Sequence, residues 1–462
     1  MIILMLFIDV WWVGIYDFRA LLVCVFSQFP FLLLPLLAFY YFQKRYSWHK
    51  ALLMLPFIWT FSDWLAHITP HGLQVYLLAY TQSNNIWLIQ FADTFGMWGL
   101  TFWVMLTNVL IVKLIESKSK KSLILPTTCL FLPFLYSFYC MVLSPKSVVG
   151  TNTGTAKVSL IQTNLDSYSH DSLSVQKTFD EIVSLSDSAV RTAHPDLLLL
   201  PEAAIPLPLF QNKNLLDFTK KAVSTWQTSV AIGFVEYPDS TKKHIFRNNA
   251  LVFTPQLATY WDSLKIKPQD VKIYQKQYGL PFVELMPYFE DKATPRGSAM
   301  QRGKEPYVFS FLDGNQTKTE VALTICWEQM YPEKIALLVN EGAEMIALMN
   351  NDAWFETSGG GKQLLSFTRM RAIENRRSIA RCSNGGISCF IDPFGRISGK
   401  LPWYKATIGT QEVMTVSKKS FYTKHPYFFI KMIGVILLLM VLYFEFLRGK
   451  AISWLNLTVK QV

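Results

Sequence analysis

The sequence predicts an α/β domain joined to a bundle of membrane-spanning helices. Three observations predict it. The chain of 462 residues is 51% hydrophobic and 15% aromatic but only 17% charged, too apolar for a soluble globule alone. The apolar residues crowd into the first 145 positions and a block near the C-terminus, while about Lys157 to Gln411 has ordinary globular composition. That middle region alternates strand-like and helix-like patterns, as α/β domains do. The expected division is residues 1–150 as N-terminal spanning helices, 151–416 as the α/β domain, and 417–462 as a last span with its tail.

In chain order, five apolar stretches come first: Met1–Val13, Ala20–Phe42, Ala51–Ile68, Ile86–Val112 and Leu123–Leu143. A sixth, Tyr427–Phe446, follows the domain. A span needs about 20 mainly apolar residues, so the first stretch, short and carrying Asp9, is marginal. It has no basic leading region and no small-residue cleavage site, and is not read as a signal peptide. "QKRYSWHK" (Gln43–Lys50), "KLIESKSKKS" (Lys113–Ser122) and the tail after Phe446 are rich in Lys and Arg, whereas "TPHGLQVYLLAYTQSN" has neither. Basic loops stay cytoplasmic, so the α/β domain is expected on the outer face. The same loops hold part of the net charge of +11, and no basic stripe interleaved with aromatics points to nucleic acid.

Within the domain, "AKVSLIQTN" reads as a strand, "SLSVQKTFDEIVSLSDSAVRTA" as an amphipathic helix and "DLLLLPE" as a buried strand. A helix near Leu215–Trp226 precedes strands "SVAIGFVE" and "RNNALVFTP". After an irregular stretch come "TEVALTIC", a helix from Pro332 to about Glu341, strand "EMIALMN", a helix near Gln363–Glu374, and strands "SIARCS" and "GISCFID". The six cysteines show no CxxC spacing and no accompanying His cluster, so neither a disulfide framework nor a metal site is expected, and no cofactor is called for.

Functional groups in α/β sheets gather at the carboxyl ends of strands. Two strands end on reactive side chains, Glu202 after four leucines and Cys326 after "VALTI". Burial raises a glutamate's pKa and suits it to proton transfer, and a thiol that gives up its proton becomes a nucleophile. Yet "ALTICWEQMYPEK" surrounds the thiol with carboxylates, which blunts it unless a cation is brought in. Lys276 in "YQKQYGLPFVE" is a candidate, able to steady a thiolate or an oxyanion. Singly, each has a plainer explanation: a helix-terminal carboxylate, a solvated loop charge, a small buried hydrophobe.

Taken together, "DLLLLPEAAIP", "YQKQYGLPFVE" and "ALTICWEQMYPE", in this order and spacing, resemble the three catalytic motifs of the nitrilase (carbon–nitrogen hydrolase) superfamily. Asn350–Ile397 and the membrane segment Ile86–Ile111 are similar to the apolipoprotein N-acyltransferase family. The resemblance implies an αββα-sandwich domain and a Glu-Lys-Cys triad: Glu202 as general base, Lys276 as oxyanion stabiliser, Cys326 as nucleophile. It further implies supporting roles for Glu284, Trp327 and Glu328. Tyr278 and Val283 depart from the family's lysine motif, which commonly has His and Gly there.

The implied reaction moves an acyl chain from a glycerophospholipid, through a cysteine thioester, to the α-amino group of a diacylglyceryl-cysteine on a lipoprotein. The implied setting is the bacterial cytoplasmic (inner) membrane, with a monomeric multi-pass enzyme. Fold and triad alone also fit a membrane-bound hydrolase with water as acceptor; the spans and the Asn350–Ile397 block favour the amine. The apolar arms "AAIPLPLF" (Ala203–Phe210) and "LPFVELMPYF" (Leu280–Phe289) are candidates for lipid-contacting walls, with core packing as the alternative.

Overall fold

A computed structural model describes residues 2–459 except 16–17, 118, 152, 166–171, 240–243, 262, 290–291, 295–296 and 356–357. In chain order its strands are β1 (Thr153–Gln162), β2 (Leu197–Leu199), β3 (Ser229–Glu236), β4 (Ile245–Phe253), β5 (Tyr274–Gln275), β6 (Ala299–Met300), β7 (Val308–Leu312), β8 (Lys318–Ile325), β9 (Met345–Asn350), β10 (Ser378–Ser383), β11 (Cys389–Ile391), β12 (Ile397–Ser398) and β13 (Thr407–Val416). They form two sheets, in the orders β13-β1-β2-β3-β4-β5 with β6 beside β4, and β12-β11-β10-β9-β8-β7. Strands β1, β2 and β3 run parallel, as do β8, β9 and β10.

The period-2 alternation of each strand explains the layering. In β8 and β9, Val321, Leu323, Ile325, Met345, Ala347 and Met349 face the other sheet, packing with Leu197–Leu199 and Ile232. The intervening Ala322, Ile346 and Leu348 face outward, onto Ile335, Leu338 and Val339 of the Pro332–Asn340 helix. On the far side, Ile182 and Ala189 of the Ser172–Ala193 helix and Leu216 and Val223 of the Lys213–Trp226 helix cover the first sheet. The order is helix, sheet, sheet, helix, the expected sandwich. Burial of each large core side chain contributes about 1.5–3 kcal/mol.

The strand pattern expected from the sequence recurs within a few residues, but the two-residue strands β5, β6 and β12 and the longer β7 and β13 lay outside it. β13 pairs antiparallel with β1 over its whole length. Its sequence, "TIGTQEVMTV", is mostly polar and half-exposed, so it carries no hydrophobic run that would announce a strand.

Five described helices are long and apolar enough to cross a membrane: Phe18–Arg45, Trp48–Ile68, Ala92–Ser117, Lys120–Leu143 and Phe428–Gly449. The first apolar stretch is a shorter element, Ile2–Ile15. The chain is therefore read as a multi-pass membrane protein. The Ile86–Val112 stretch becomes helical only at Ala92, with a break at Gly96 (φ 63°, ψ −169°). A Cβ at Gly96 would lie 2.3 Å from the Tyr422 ring, so only glycine fits there.

The residues around the start of that helix dock the α/β domain. Buried Arg376 donates to Asp93 Oδ2 at 2.7 Å and to the Gln90 carbonyl at 2.9 Å, and Gln90 Nε2 donates to the Phe394 carbonyl at 3.0 Å. Glu374 accepts from the Met97 N–H at 2.9 Å, and His67 Nε2 meets Glu333 Oε2 at 2.9 Å. Apolar packing continues across the junction, where Trp327, Leu364, Phe367 and Met370 join Leu6, Trp12, Tyr80 and Trp98 in one cluster. At the other end of the bundle, Trp48 Nε1 donates to Glu116 at 2.6 Å and Tyr46 OH to Glu445 at 2.7 Å. The basic segments thus gather at the end away from the α/β domain. Removing one partner of a buried ion pair strands the other charge, so Asp93→Asn is expected to cost about 3–5 kcal/mol. Thermal unfolding in detergent, with proteolysis to report release of the domain, measures this.

Candidate active site

Glu202 stands where β2 is forced to stop. Leu200 N–H still reaches the Ala231 carbonyl at 3.1 Å, but Pro201 has no N–H to give the ladder and the chain turns away. The Glu202 N–H then bonds the Asn350 carbonyl at 3.3 Å, at the end of β9 in the opposite sheet. Gly233 of β3 lets this turn lie close, since a Cβ there would stand 2.8 Å from the Pro201 oxygen and 2.9 Å from the Ala203 nitrogen. The Glu202 side chain is buried and accepts from Asn248 Nδ2 of β4 at 2.8 Å.

Lys276 follows β5 directly. Its N–H bonds the Asn248 carbonyl at 2.8 Å, so one residue of β4 anchors both the lysine's backbone and the glutamate's side chain. Lys276 Nζ is fully buried and bridges Glu202 Oε1 at 2.8 Å with Glu284 Oε1 at 2.7 Å and Oε2 at 2.9 Å. Glu284 is fixed in turn by the Leu280 N–H at 2.7 Å. The structure therefore brings Glu202, Lys276 and Glu284 into one contiguous group. Burial raises the Glu202 pKa against the pull of Lys276. Burial also works against the Lys276 ammonium, but Glu202 and Glu284 overcome it and hold its pKa well above the ordinary value.

Cys326 directly follows β8 and opens the turn Cys326–Met330 with φ of 50°, a left-handed conformation costly for a residue with a side chain. That kink ends the pleat and leaves the thiol half-buried, within the fields of Glu202, Lys276 and Glu284. Burial pushes the thiol well up, Glu202 adds to this, and Lys276 only partly offsets it.

Glu328 does more than accompany the cysteine. It is fully buried and accepts from the Ile325 N–H at 2.8 Å, the Gln277 N–H at 2.7 Å and the Tyr278 N–H at 3.3 Å. Tyr274 OH donates to it at 2.6 Å, and Lys334 Nζ stands 3.0 Å away. One carboxylate thus ties the lysine loop to the cysteine turn. Tyr274, Lys334 and Asn248 went unrecognised in the sequence. Tyr274 opens one of the motifs that carry the resemblance and Lys334 directly follows another, but nothing in their spacing marks them as partners of Glu328. The buried indole of Trp327 faces the membrane-side cluster, not the charged group.

The two apolar arms differ. In the first, Leu209 is fully buried, and Phe210 stacks on Trp261 with centroids 5.9 Å apart, so this arm is core packing. In the second, Tyr288 and Phe289 are exposed, and Tyr288 OH meets His71 Nδ1 at 2.7 Å, reaching the loop between two spanning helices. Among the described residues no group of His, Cys, Asp and Glu is arranged to hold a metal.

Residues 157–417 match the family model described as carbon-nitrogen hydrolase, and residues 1–110 match the one described as apolipoprotein N-acyltransferase N-terminal domain. The chain is 31% identical over 439 residues to the apolipoprotein N-acyltransferase of Chlorobaculum tepidum, covering 91% of this chain and 81% of that one. To that of Geobacter metallireducens it is 25% identical over 385 residues, covering 81% and 71%. Among solved structures, Saccharomyces cerevisiae Nit3, a nitrilase-superfamily member, shares 16% identity at a TM-score of 0.41, covering 59% of this chain and 94% of that one. A carbon–nitrogen hydrolase domain docked on spanning helices, with both parts matched and similarity running almost end to end, has one consistent assignment: this chain belongs to the apolipoprotein N-acyltransferase family, membrane-bound acyltransferases of the carbon–nitrogen hydrolase superfamily.

Proposed function

We propose that this enzyme transfers a fatty acyl chain from a glycerophospholipid to the α-amino group of the N-terminal diacylglyceryl-cysteine of a bacterial lipoprotein, in two steps through a thioester on Cys326. The observation that carries the reading is the buried Glu202–Lys276–Glu284 group beside a kinked cysteine. In the first step Glu202 takes the thiol proton as sulfur attacks the ester carbonyl. Lys276, with the Trp327 backbone N–H, stabilises the oxyanion. Collapse breaks the ester C–O bond, and Glu202 returns the proton to the departing lysophospholipid oxygen. In the second step the amine attacks the thioester, its proton passes to Glu202, and the thiol is restored.

The high thiol pKa fits this order, since proton transfer concerted with attack avoids a resting thiolate among carboxylates. Both substrates are confined to one leaflet, which raises their effective concentration at a tethered catalyst. The gathering of basic segments at the end of the bundle away from the catalytic domain favours a domain on the outer face of the cytoplasmic membrane.

Incubation with phospholipid is expected to add a fatty-acyl mass to the Cys326 peptide, labile to hydroxylamine. Adding a diacylated lipopeptide should then give amide-linked acyl chain. Free fatty acid without amide would mean hydrolysis, and an unmodified Cys326 peptide would defeat the reading. The pH profile supplies a further check. Glu202 must be ionised to accept a proton, and its pKa is raised, so thioester formation should fall away with acid at a pH above the ordinary glutamate range. Glu202→Gln should lower the rate by about 10²–10⁴-fold and abolish that limb.

A further inference from the structure

A cavity of about 460 Å³ opens where the α/β domain meets the bundle, and none of Glu202, Lys276 or Cys326 lines it. Its rim includes Ile68, the last residue of one spanning helix, and Tyr427, just before another. An occupant would therefore lie at the level where helices leave the membrane. The inner wall is polar and incompletely satisfied. Gln277 Oε1 accepts from Lys334 Nζ at 2.9 Å, and its buried Nε2 has no partner among the described residues. Glu333 uses Oε2 on His67, and its buried Oε1 has no partner among the described residues.

Arg302 also lines the cavity. Its positive charge acts on the hydroxyls of Tyr278 and Tyr331, whose rings stack with centroids 4.0 Å apart. Among the described residues Arg302 makes no ion pair, whereas Lys334 is matched by Glu328. The wall thus offers one uncommitted guanidinium and one free amide N–H group as donors, and a carboxylate oxygen as acceptor.

We propose that this cavity binds the phosphodiester of a membrane lipid headgroup, through Arg302 and Gln277, with the lipid's tails running down between the spanning helices. A guanidinium fork suits phosphate oxygens. A single unmatched positive charge, with the Glu333 carboxylate in the same wall, suits a monoanion and disfavours the dianionic phosphomonoester. Glu333 Oε1 then accepts from a hydroxyl or ammonium group on the headgroup. The inference deepens the reading of a glycerophospholipid donor, because the cavity wall at Gln277 and Tyr278 directly follows Lys276 in the chain.

The test uses the full-length Cys326→Ala chain in detergent and diether lipids, which have no ester to react. Dissociation constants are read by native mass spectrometry for diether phosphatidylglycerol, its phosphomonoester counterpart and the phosphate-free diether glycerol. The phosphodiester is expected to bind about 10–100-fold tighter than the phosphate-free lipid, the worth of a charged hydrogen bond. The phosphomonoester should bind more weakly than the phosphodiester. Arg302→Gln should erase the phosphate advantage and Arg302→Lys should keep part of it, with melting temperatures reporting that both fold. An advantage undiminished in Arg302→Gln, a phosphomonoester that binds as well, or displacement by equimolar inorganic phosphate would each overturn the proposal. Failure to form a thioester in the unmutated enzyme would defeat the acyl-transfer reading but leave these binding results intact.

Discussion

Cys326→Ala is expected to abolish acyl transfer, lowering the rate by on the order of 10⁴-fold or more, while leaving the fold intact. Within the α/β domain, neither of the other two cysteines is placed to stand in for it. Cys382 and Cys389 are buried, and burial raises the pKa of both, Cys389 to about 11. Trading the half-buried thiol for a methyl group removes no hydrogen bond on which the turn depends, because the turn is held by Glu328 and by Gln329, whose Nε2 donates to the Cys326 carbonyl at 2.9 Å. Activity with phospholipid and lipopeptide, together with the melting temperature, measures both halves of the expectation. Full activity in the alanine variant would remove Cys326 from the reaction.

Lys276→Met should damage both activity and stability. The lysine bridges two carboxylates in a buried site, and its loss leaves them facing each other without a counter-ion. The cost is about 3–5 kcal/mol at neutral pH, and loss of an oxyanion donor lowers the rate by about 10²–10³-fold. The pH dependence identifies the cause. Without the ammonium, the folded-state pKa of Glu202, already raised by burial, rises further above its unfolded value, so the folded state binds more protons than the unfolded chain. Stability is then fully present below the unfolded carboxylate pKa and is lost as pH rises through the raised folded value. The variant should therefore come closest to the parent in acid and fall furthest behind at neutral pH. Melting curves across pH check this, and a deficit independent of pH would mean that packing, not charge, was lost.

Much of the candidate site was legible because it is local. Glu202 and Cys326 end hydrophobic strands whose period-2 patterns can be read directly, and Lys276 and Glu284 lie eight positions apart in one motif. Glu328 was legible only as a match to a family position. Its physical work, five contacts that tie residues 274–278 to the cysteine turn and to Lys334, joins segments more than 45 residues apart, and no periodicity encodes that. The arms show the limit from the other side. "AAIPLPLF" and "LPFVELMPYF" look alike as apolar, proline-bearing strings, yet one packs into the core and the other reaches His71.

The sequence by itself determined the class of the protein: spanning helices, from runs of apolar residues long enough to cross a bilayer, and an α/β domain, from alternation that local chain geometry dictates. Tertiary structure alone decided which charges meet. Asp93 with Arg376, His67 with Glu333 and Lys276 with Glu202 are pairs brought together by docking and sheet register. The physical reason is range. Hydrophobic patterning acts through neighbours a few residues away, whereas a buried charge is stabilised only by the particular partner that three-dimensional packing sets beside it.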